Sequence, residues 1–308
     1  MSRHAYLIIA HNNWYILSKL VSLLDNSRND IYIHIDKNSY PSSYLEQSIK
    51  NQVKEAKVLF IESRPVSWGG YSLIDVTLRL MATATEEYHY SYYHLLSGSD
   101  LPLKDQYQIH EFFDANQGSE FIHFGKKEWI DIIQSRMKYY WIFQEYVGNS
   151  KRIDKIAIRF LNRMCVLFQK IIGINRLVNL QVSGGSEWFS ITDESARFLL
   201  SKRDFIERHF KYCICADESF VQTIIINSDL KKKVYNFNSH NDKDCTLRYI
   251  QWENGKPHVL KMEDYDQLIN SGCIYARKFD ETDKELVDKI CMMILDKTEP
   301  ENSSIEIE

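Results

Sequence analysis

Over its first hundred residues the chain switches repeatedly between two hydrophobic periods, and no other feature narrows its fold as much. Short apolar runs at 5–10, 31–36, 58–61 and 93–96 have the length and the Ile, Val, Tyr and Leu content of buried strands. Between them, residues 14–24, 43–54 and the stretch from the turn Trp68-Gly69-Gly70 to about residue 86 read as helices. In the first of these, Leu17, Leu20, Val21 and Leu24 share one face. Alternation of this kind predicts an α/β fold, with a mostly parallel sheet and helices on both faces. Ligands of such sheets bind beyond the carboxyl ends of the strands. His11, Asp36 and Asp100 all fall at such ends.

The pattern continues with a helix at 106–116 and a strand at 120–124, and then changes character. Between residues 126 and 176 eleven Lys and Arg stand against four acids, interleaved with Trp129, Tyr139, Tyr140, Trp141, Phe143, Phe160, Leu167 and Phe168. Residues 126–180 therefore read as a basic amphipathic helical insert. Two readings stand side by side: an insert that lies on an anionic membrane surface or receives a lipid-linked substrate, and a solvated flap over the binding groove. Gly184-Gly185-Ser186-Glu187-Trp188 follows. Its glycines allow close approach of the backbone to a ligand. Glu187 can bind hydroxyls and Trp188 can cover a pyranose face; the alternative is a bulge with a core tryptophan.

Ala216-Asp217-Glu218-Ser219-Phe220 reads as the opening of a helix, with Asp217 as its cap and Phe220, Val221, Ile224 and Ile225 on its apolar stripe. Glu218 in the first turn would then sit at the positive end of the helix dipole, which favours the carboxylate a general base needs. Further helices are expected at 193–202, 205–210, 264–270 and 282–295, with a strand-like run at 246–252 that carries Arg248. Arg277 and Lys278 bring two more cations. Asp242-Lys243-Asp244 and Asp264-Tyr265-Asp266 match a D-x-D pattern, but they come late in the chain and read as a surface loop and a helix cap.

With a net charge of −4 the 308-residue chain has no basic character that would suit a nucleic-acid binder. Six cysteines show no C-x-x-C pair, and Cys213 and Cys215 alternate like residues of a half-buried strand. Reduced thiols, the absence of a leader before the first apolar run and the absence of a long apolar span lead us to expect a cytoplasmic protein. Residues 1–296 are expected to form one catalytic domain, and the acidic stretch 297–308 a disordered tail.

The ordered blocks around residues 5–11, 31–37, 66–73, 94–104, 184–191, 216–223, 247–252 and 277–279 resemble the core-2/I-branching β-1,6-N-acetylglucosaminyltransferase and peptide O-xylosyltransferase family, glycosyltransferase family 14, in a bacterial-type form. That resemblance implies a GT-A fold with a Rossmann-like sheet and an inverting transfer from a UDP-sugar to a hydroxyl of a glycan or lipid-linked glycan. Such a transfer would serve bacterial surface polysaccharide assembly at the inner membrane face. By motif it makes Glu218 the catalytic base and puts His11 and Asp36 at the uridine. It gives Arg248 and Lys278 the diphosphate, with Arg277 as substitute, and turns Glu187 toward the acceptor. Asp100 stands where other GT-A enzymes carry a metal-binding pair of acids. A single carboxylate there, with fixed cations to neutralise the leaving group, implies catalysis without a divalent metal or other cofactor. The competing reading is an inactive carbohydrate- or nucleotide-binding module on the same fold. A nucleotidyltransferase is disfavoured by the lack of a Gly-rich, Lys-bearing triphosphate loop.

Overall fold

Seven consecutive buried residues make β1 (His4–Ala10) the axis of the fold. The computed structural model describes residues 2–41, 43–149, 152–177 and 180–296. β1 pairs in parallel with β2 (Asn29–Ile35) on one side and β4 (Tyr92–Ser97) on the other, and β3 (Lys57–Phe60) extends the sheet beyond β2. Past β4 two short strands run antiparallel, β7 (Phe189–Ile191) and then β6 (Phe121–Ile122), giving the order β3-β2-β1-β4-β7-β6. The sheet is thus mostly parallel, as the alternating pattern predicts.

Side chains of β1 alternate between two cores. Ala5, Leu7 and Ile9 face α3 (Ser72–Glu87), α8 (Asp193–Ser201) and α10 (Phe220–Ile226). Tyr6, Ile8 and Ala10 face α1 (Trp14–Leu23), α4 (Gln106–Ala115) and α13 (Lys284–Leu295). A strand covered on both faces must be apolar throughout, which is why β1 shows an unbroken apolar run. The remaining helices are α2 (Ser43–Gln52), α5 (Lys127–Met137), α6 (Gln144–Asn149), α7 (Arg152–Ile171), α9 (Arg203–Phe210), α11 (Asp242–Thr246) and α12 (Tyr265–Ile269). α5, α6 and α7 lie in the expected helical insert.

A second sheet of three strands joins β5 (Leu101–Pro102), β11 (Tyr275–Arg277) and β8 (Arg248–Ile250). β11 runs antiparallel to β5 and parallel to β8. The run expected as one strand at 246–252 is split: β8 ends at Ile250, and β9 (Trp252–Glu253) pairs instead with β10 (Lys256–Pro257). Asn254 and Gly255 turn that hairpin with φ of 49° and 73°, a conformation suited to Asn-Gly.

Two local expectations fail. Cys213 and Cys215 are both buried but lie in a turn, not a strand, with Cys215 left-handed at φ 48°. Cys215 N–H donates to the Gly69 carbonyl at 3.0 Å, so the alternation reflects a chain reversal. Asp242-Lys243-Asp244 opens α11 and is not a surface loop; the Asp242 carboxylate accepts from Thr246 Oγ1 at 2.8 Å. Asp264 does serve a helical turn, accepting from Lys261 N–H at 2.8 Å. All six cysteines are free. The expected tail, 297–308, lies outside the described residues.

Under the second core three imidazoles are buried together. His4, His94 and His110 pack with Tyr92 and Phe113, and His94 Nε2 lies 3.1 Å from His4 Nδ1. Burial lowers the basicity of all three, that of His110 to about 4, with nearby Arg28 adding to the effect at His4 and His110. Unfolded histidine titrates near 6.5, so between about pH 6.5 and 4 the unfolded chain holds the extra proton and stability falls as pH drops. His110 should cost the fold about 3 kcal/mol over that window. Urea unfolding of wild type and His110→Leu from pH 7 to 4 should show the wild type losing that much more; parallel pH profiles would refute it.

Candidate active site

The second sheet carries two cations to the carboxyl ends of β1, β2 and β4. Leu103 N–H donates to the Ile274 carbonyl at 2.7 Å, and Phe279 N–H to that of Ser99 at 2.9 Å. Asn13 Nδ2 clamps the same junction through Ser99 Oγ at 2.9 Å. Arg277 and Lys278 therefore lie beside His11, Asp36 and Asp100. Partial burial lowers the His11 pKa, and the Lys278 and Arg277 charges lower it further against the pull of Asp36. Asp36 Oδ1 accepts from the backbone N–H groups of Asn38 at 3.0 Å and Val66 at 3.1 Å, pinning the loop after β2. Lys278 is half-buried, and no acid among the described residues pairs with its ammonium.

Arg277 is the guanidinium at the centre. Only 9% exposed, it lies with Nε 3.7 Å from Asp100 Oδ1, Nη1 3.5 Å from Glu187 Oε1 and its Cζ 3.9 Å from the Trp188 ring centroid. These are ion-pair and cation–π distances. Nε and Nη1 are buried and make no hydrogen bond among the described residues. Asp100 itself accepts from Ser97 N–H at 2.9 Å and Ser97 Oγ at 2.6 Å.

Arg248 does not occupy the place expected of it. It is 1% exposed beneath the sheet junction. Its Nη1 donates to the Thr246 carbonyl at 2.9 Å, and Nη2 to those of Phe189 at 2.6 Å and Leu95 at 3.3 Å. A guanidinium spent on the carbonyls of β4 and β7 fastens the two sheets together and is not free for a diphosphate. Arg277, expected only as a substitute, is the arginine that lines the site.

Opposite the cations stands a wall of carboxyls. Asp217 and Glu218 lie in a 3₁₀ turn before α10, and Ser219 is the residue preceding that helix. Asp217 does not cap the helix; its carboxyl instead lies against that of Glu187. Burial pushes the Asp217 carboxyl well up, and the adjacent charge of Glu187 pushes it further. Glu187 is also raised by burial, opposed by Arg277. Glu218 Oε2 lies 2.7 Å from Arg136 Nη1. Burial nevertheless raises the Glu218 pKa, against Arg136. The expected helix-dipole effect is therefore outweighed, and Glu218 is a stronger base than an exposed glutamate. Glu187 joins the two walls, touching Asp217 on one side and Arg277 on the other.

The paired glycines serve the protein backbone, not a ligand. Gly185 N–H donates to the Glu218 carbonyl at 2.8 Å, and Gly125 N–H to that of Gly184 at 2.8 Å. A Cβ on Gly185 would fall 1.9 Å from the His123 carbonyl oxygen, and one on Gly184 2.9 Å from that of Glu218. Trp188 fills the first core at 8% exposure with Arg277 over its face, so it is a core tryptophan and not a cover for a pyranose. Two indoles are exposed, Trp252 at 59% in the β9–β10 hairpin and Trp68 at 73% on the turn whose Gly69 carbonyl binds Cys215. Sequence reasoning also missed the roles of Asp217 and Arg136. The adjacency of Asp217 to Glu218 was a signal for the first; only the fold brings Arg136 of α5 to the second. Among the described residues no cluster of His, Cys, Asp and Glu has a metal-binding arrangement.

A family model described as "Core-2/I-Branching enzyme" matches residues 4–269. Xylosyltransferase oxt of Drosophila melanogaster is 23% identical over 270 residues, covering 81% of this chain and 28% of that protein. Beta-glucuronosyltransferase GlcAT14B of Arabidopsis thaliana is 22% identical over 305 residues, covering 94% of this chain and 65% of that protein. The chain thus spans less than a third of the length of the fly relative. Core-mannan synthase A of Aspergillus fumigatus superimposes with a TM-score of 0.39 at 12% identity, over 76% of this chain and 72% of that one.

The glycine packing is directly testable. Gly185→Ala should lower stability by about 2 kcal/mol or more, because the His123 carbonyl or the Glu218 turn must move. An unchanged urea midpoint would show that the backbone is not held there.

Proposed function

We propose that this chain, which belongs to the Core-2/I-Branching enzyme family, is a glycosyltransferase that moves a sugar from a UDP-sugar to a hydroxyl of a glycan acceptor with inversion. The observation that carries the reading is the pairing of a partly buried, strengthened carboxylate, Glu218, with cations at Arg277 and Lys278. Glu187 bridges the two. A single displacement needs both. The acceptor oxygen gives its proton to Glu218 as it attacks C1, and the C1–O bond to the diphosphate breaks on the opposite face.

The charge that develops on UDP falls, in this reading, to Lys278 and to the undonated N–H groups of Arg277. Each charge-assisted bond of this kind contributes roughly 1.5–3 kcal/mol. Asp100 and Glu187 hold Arg277 in place, and His11 and Asp36 receive the uridine. The ionic partner next to Asp100 is a guanidinium and both Asp100 oxygens are engaged. That donor set supports transfer without a divalent metal. Trp68, exposed on the turn bound to Cys215, is the acceptor platform we assign in place of Trp188. Bacterial surface polysaccharide assembly is the setting we favour, and it rests on the resemblance of the sequence blocks.

Glu218→Gln should lower turnover by about 10²–10⁴-fold. Calorimetry should find its affinity for UDP equal to that of wild type, both with EDTA and with Mn²⁺. Near-normal turnover removes Glu218 as the base, and UDP binding that requires Mn²⁺ removes the metal-free mechanism. Trp68→Ala should raise the acceptor KM several-fold and leave UDP affinity alone; an unchanged acceptor KM would move the acceptor elsewhere.

A further inference from the structure

The helix α7 carries its amphipathic pattern inside out. Its inward side is polar: Asn162 Oδ1 accepts from Phe143 N–H at 3.0 Å. Gln169 accepts from Tyr140 N–H at 2.7 Å and donates to the Tyr140 carbonyl at 2.8 Å. With Val166 these residues are buried against the chain at 140–143. The outward side is apolar. Ile156, Phe160, Met164, Leu167, Phe168 and Ile171 are each about half-exposed or more, up to 76% for Ile171. At 100° per residue they fall within an arc of about 120° and extend for about 22 Å.

Hydrogen bonding fixes this orientation. Turning the apolar stripe inward would strand the Asn162 and Gln169 amides and the backbone groups they satisfy. The exposed cations Arg159, Arg163 and Lys170 line one edge of the stripe, and Asp154 is the one acid within the helix. No helix among the described residues is long and apolar enough to cross a membrane.

We propose that α7 is a docking surface for an anionic lipid bilayer, lying in the plane of the interface. The apolar crest enters the acyl boundary while Arg159, Arg163 and Lys170 meet the headgroup phosphates. Charge complementarity selects this occupant over a second copy of the chain. In an antiparallel two-fold pairing through the same stripe the cationic edges of the two helices would face each other. The inference is independent of the catalytic reading, since none of the exposed side chains of the stripe belongs to the carboxyl or cation walls.

Flotation of the full chain tests it, with vesicles of phosphatidylcholine alone and with about one-third phosphatidylglycerol. Wild type should float with the anionic vesicles and remain behind with the neutral ones. Phe160→Ser with Phe168→Ser, and separately Arg159→Gln with Arg163→Gln, should each reduce bound protein at least tenfold. Thermal unfolding midpoints and UDP affinity of the variants should match wild type, since the four side chains are exposed. Failure of wild type to float, or flotation that neither variant weakens, would overturn the proposal. So would lipid-free dimerisation in sedimentation that the Phe160/Phe168 variant abolishes, because it would assign the stripe to a second copy. Loss of turnover in Glu218→Gln with flotation intact would leave the two proposals separately judged.

Discussion

A buried guanidinium that is only partly satisfied organises this site. Arg277 is inserted between Asp100 at the end of the main sheet, Glu187 on the glycine segment and the face of Trp188. Removing such a charge from water is costly unless acids compensate it, and the two carboxylates do so at 3.5–3.7 Å, beyond hydrogen-bond distance. The N–H groups on Nε and Nη1 consequently keep their donor capacity. An arrangement that holds a cation rigidly while leaving its donors unspent is organised for an anion before one arrives. The geometry depends on β11 pairing with Leu101–Pro102, which ties two distant parts of the sequence together. Arg248 contributes by the opposite logic. Its Nη1 and Nη2 donate to the carbonyls of Thr246, Leu95 and Phe189, so it holds the sheets in the register that positions Arg277.

Three carboxyls stand within one short stretch of surface, and they cannot all ionise without cost. Their surroundings separate them. Burial and the neighbouring Glu187 charge push Asp217 well up, Glu187 answers the charge of Arg277, and Glu218 is held by Arg136 while burial strengthens it as a base. Acid and base roles in one site commonly arise in this way, from environments that push similar groups apart. Arg136 comes from α5, so the helical insert supplies part of the charge pattern. It is more than a cover over the groove. Trp141 carries the connection onward, its Nε1 donating to the Arg136 carbonyl at 2.9 Å. The same segment, at Tyr140 and Phe143, holds α7.

Much of the fold was legible because burial on two faces or one imposes a hydrophobic period that a strand or helix cannot hide. β1 to β4, α1 to α4 and α13 all lie within a few residues of their sequence-based ranges. The placement of His11, Asp36 and Asp100 beyond the strand ends followed from the parallel order alone. Short elements were read less well. Cys213 and Cys215 gave a strand-like pattern from two buried positions in a turn, and Asp242 to Asp244 read as loop although they begin a helix. Below about five residues, periodicity carries too few positions to separate a strand from a reversal.

By itself, the sequence determined the α/β alternation and the ends at which a ligand would bind, and it singled out Glu218 with the pair Arg248 and Lys278, keeping Arg277 only as a substitute. Tertiary structure alone decided which arginine lines the site, that Trp188 is buried, which backbone the two glycines admit, and that Asp217 packs against Glu187 instead of capping a helix. The physical reason is common to all four. Availability, exposure and protonation are set by neighbours distant in the chain. Arg248 meets Phe189, Arg277 meets Trp188, Gly185 meets His123 and Asp217 meets Glu187 only after the sheets are assembled.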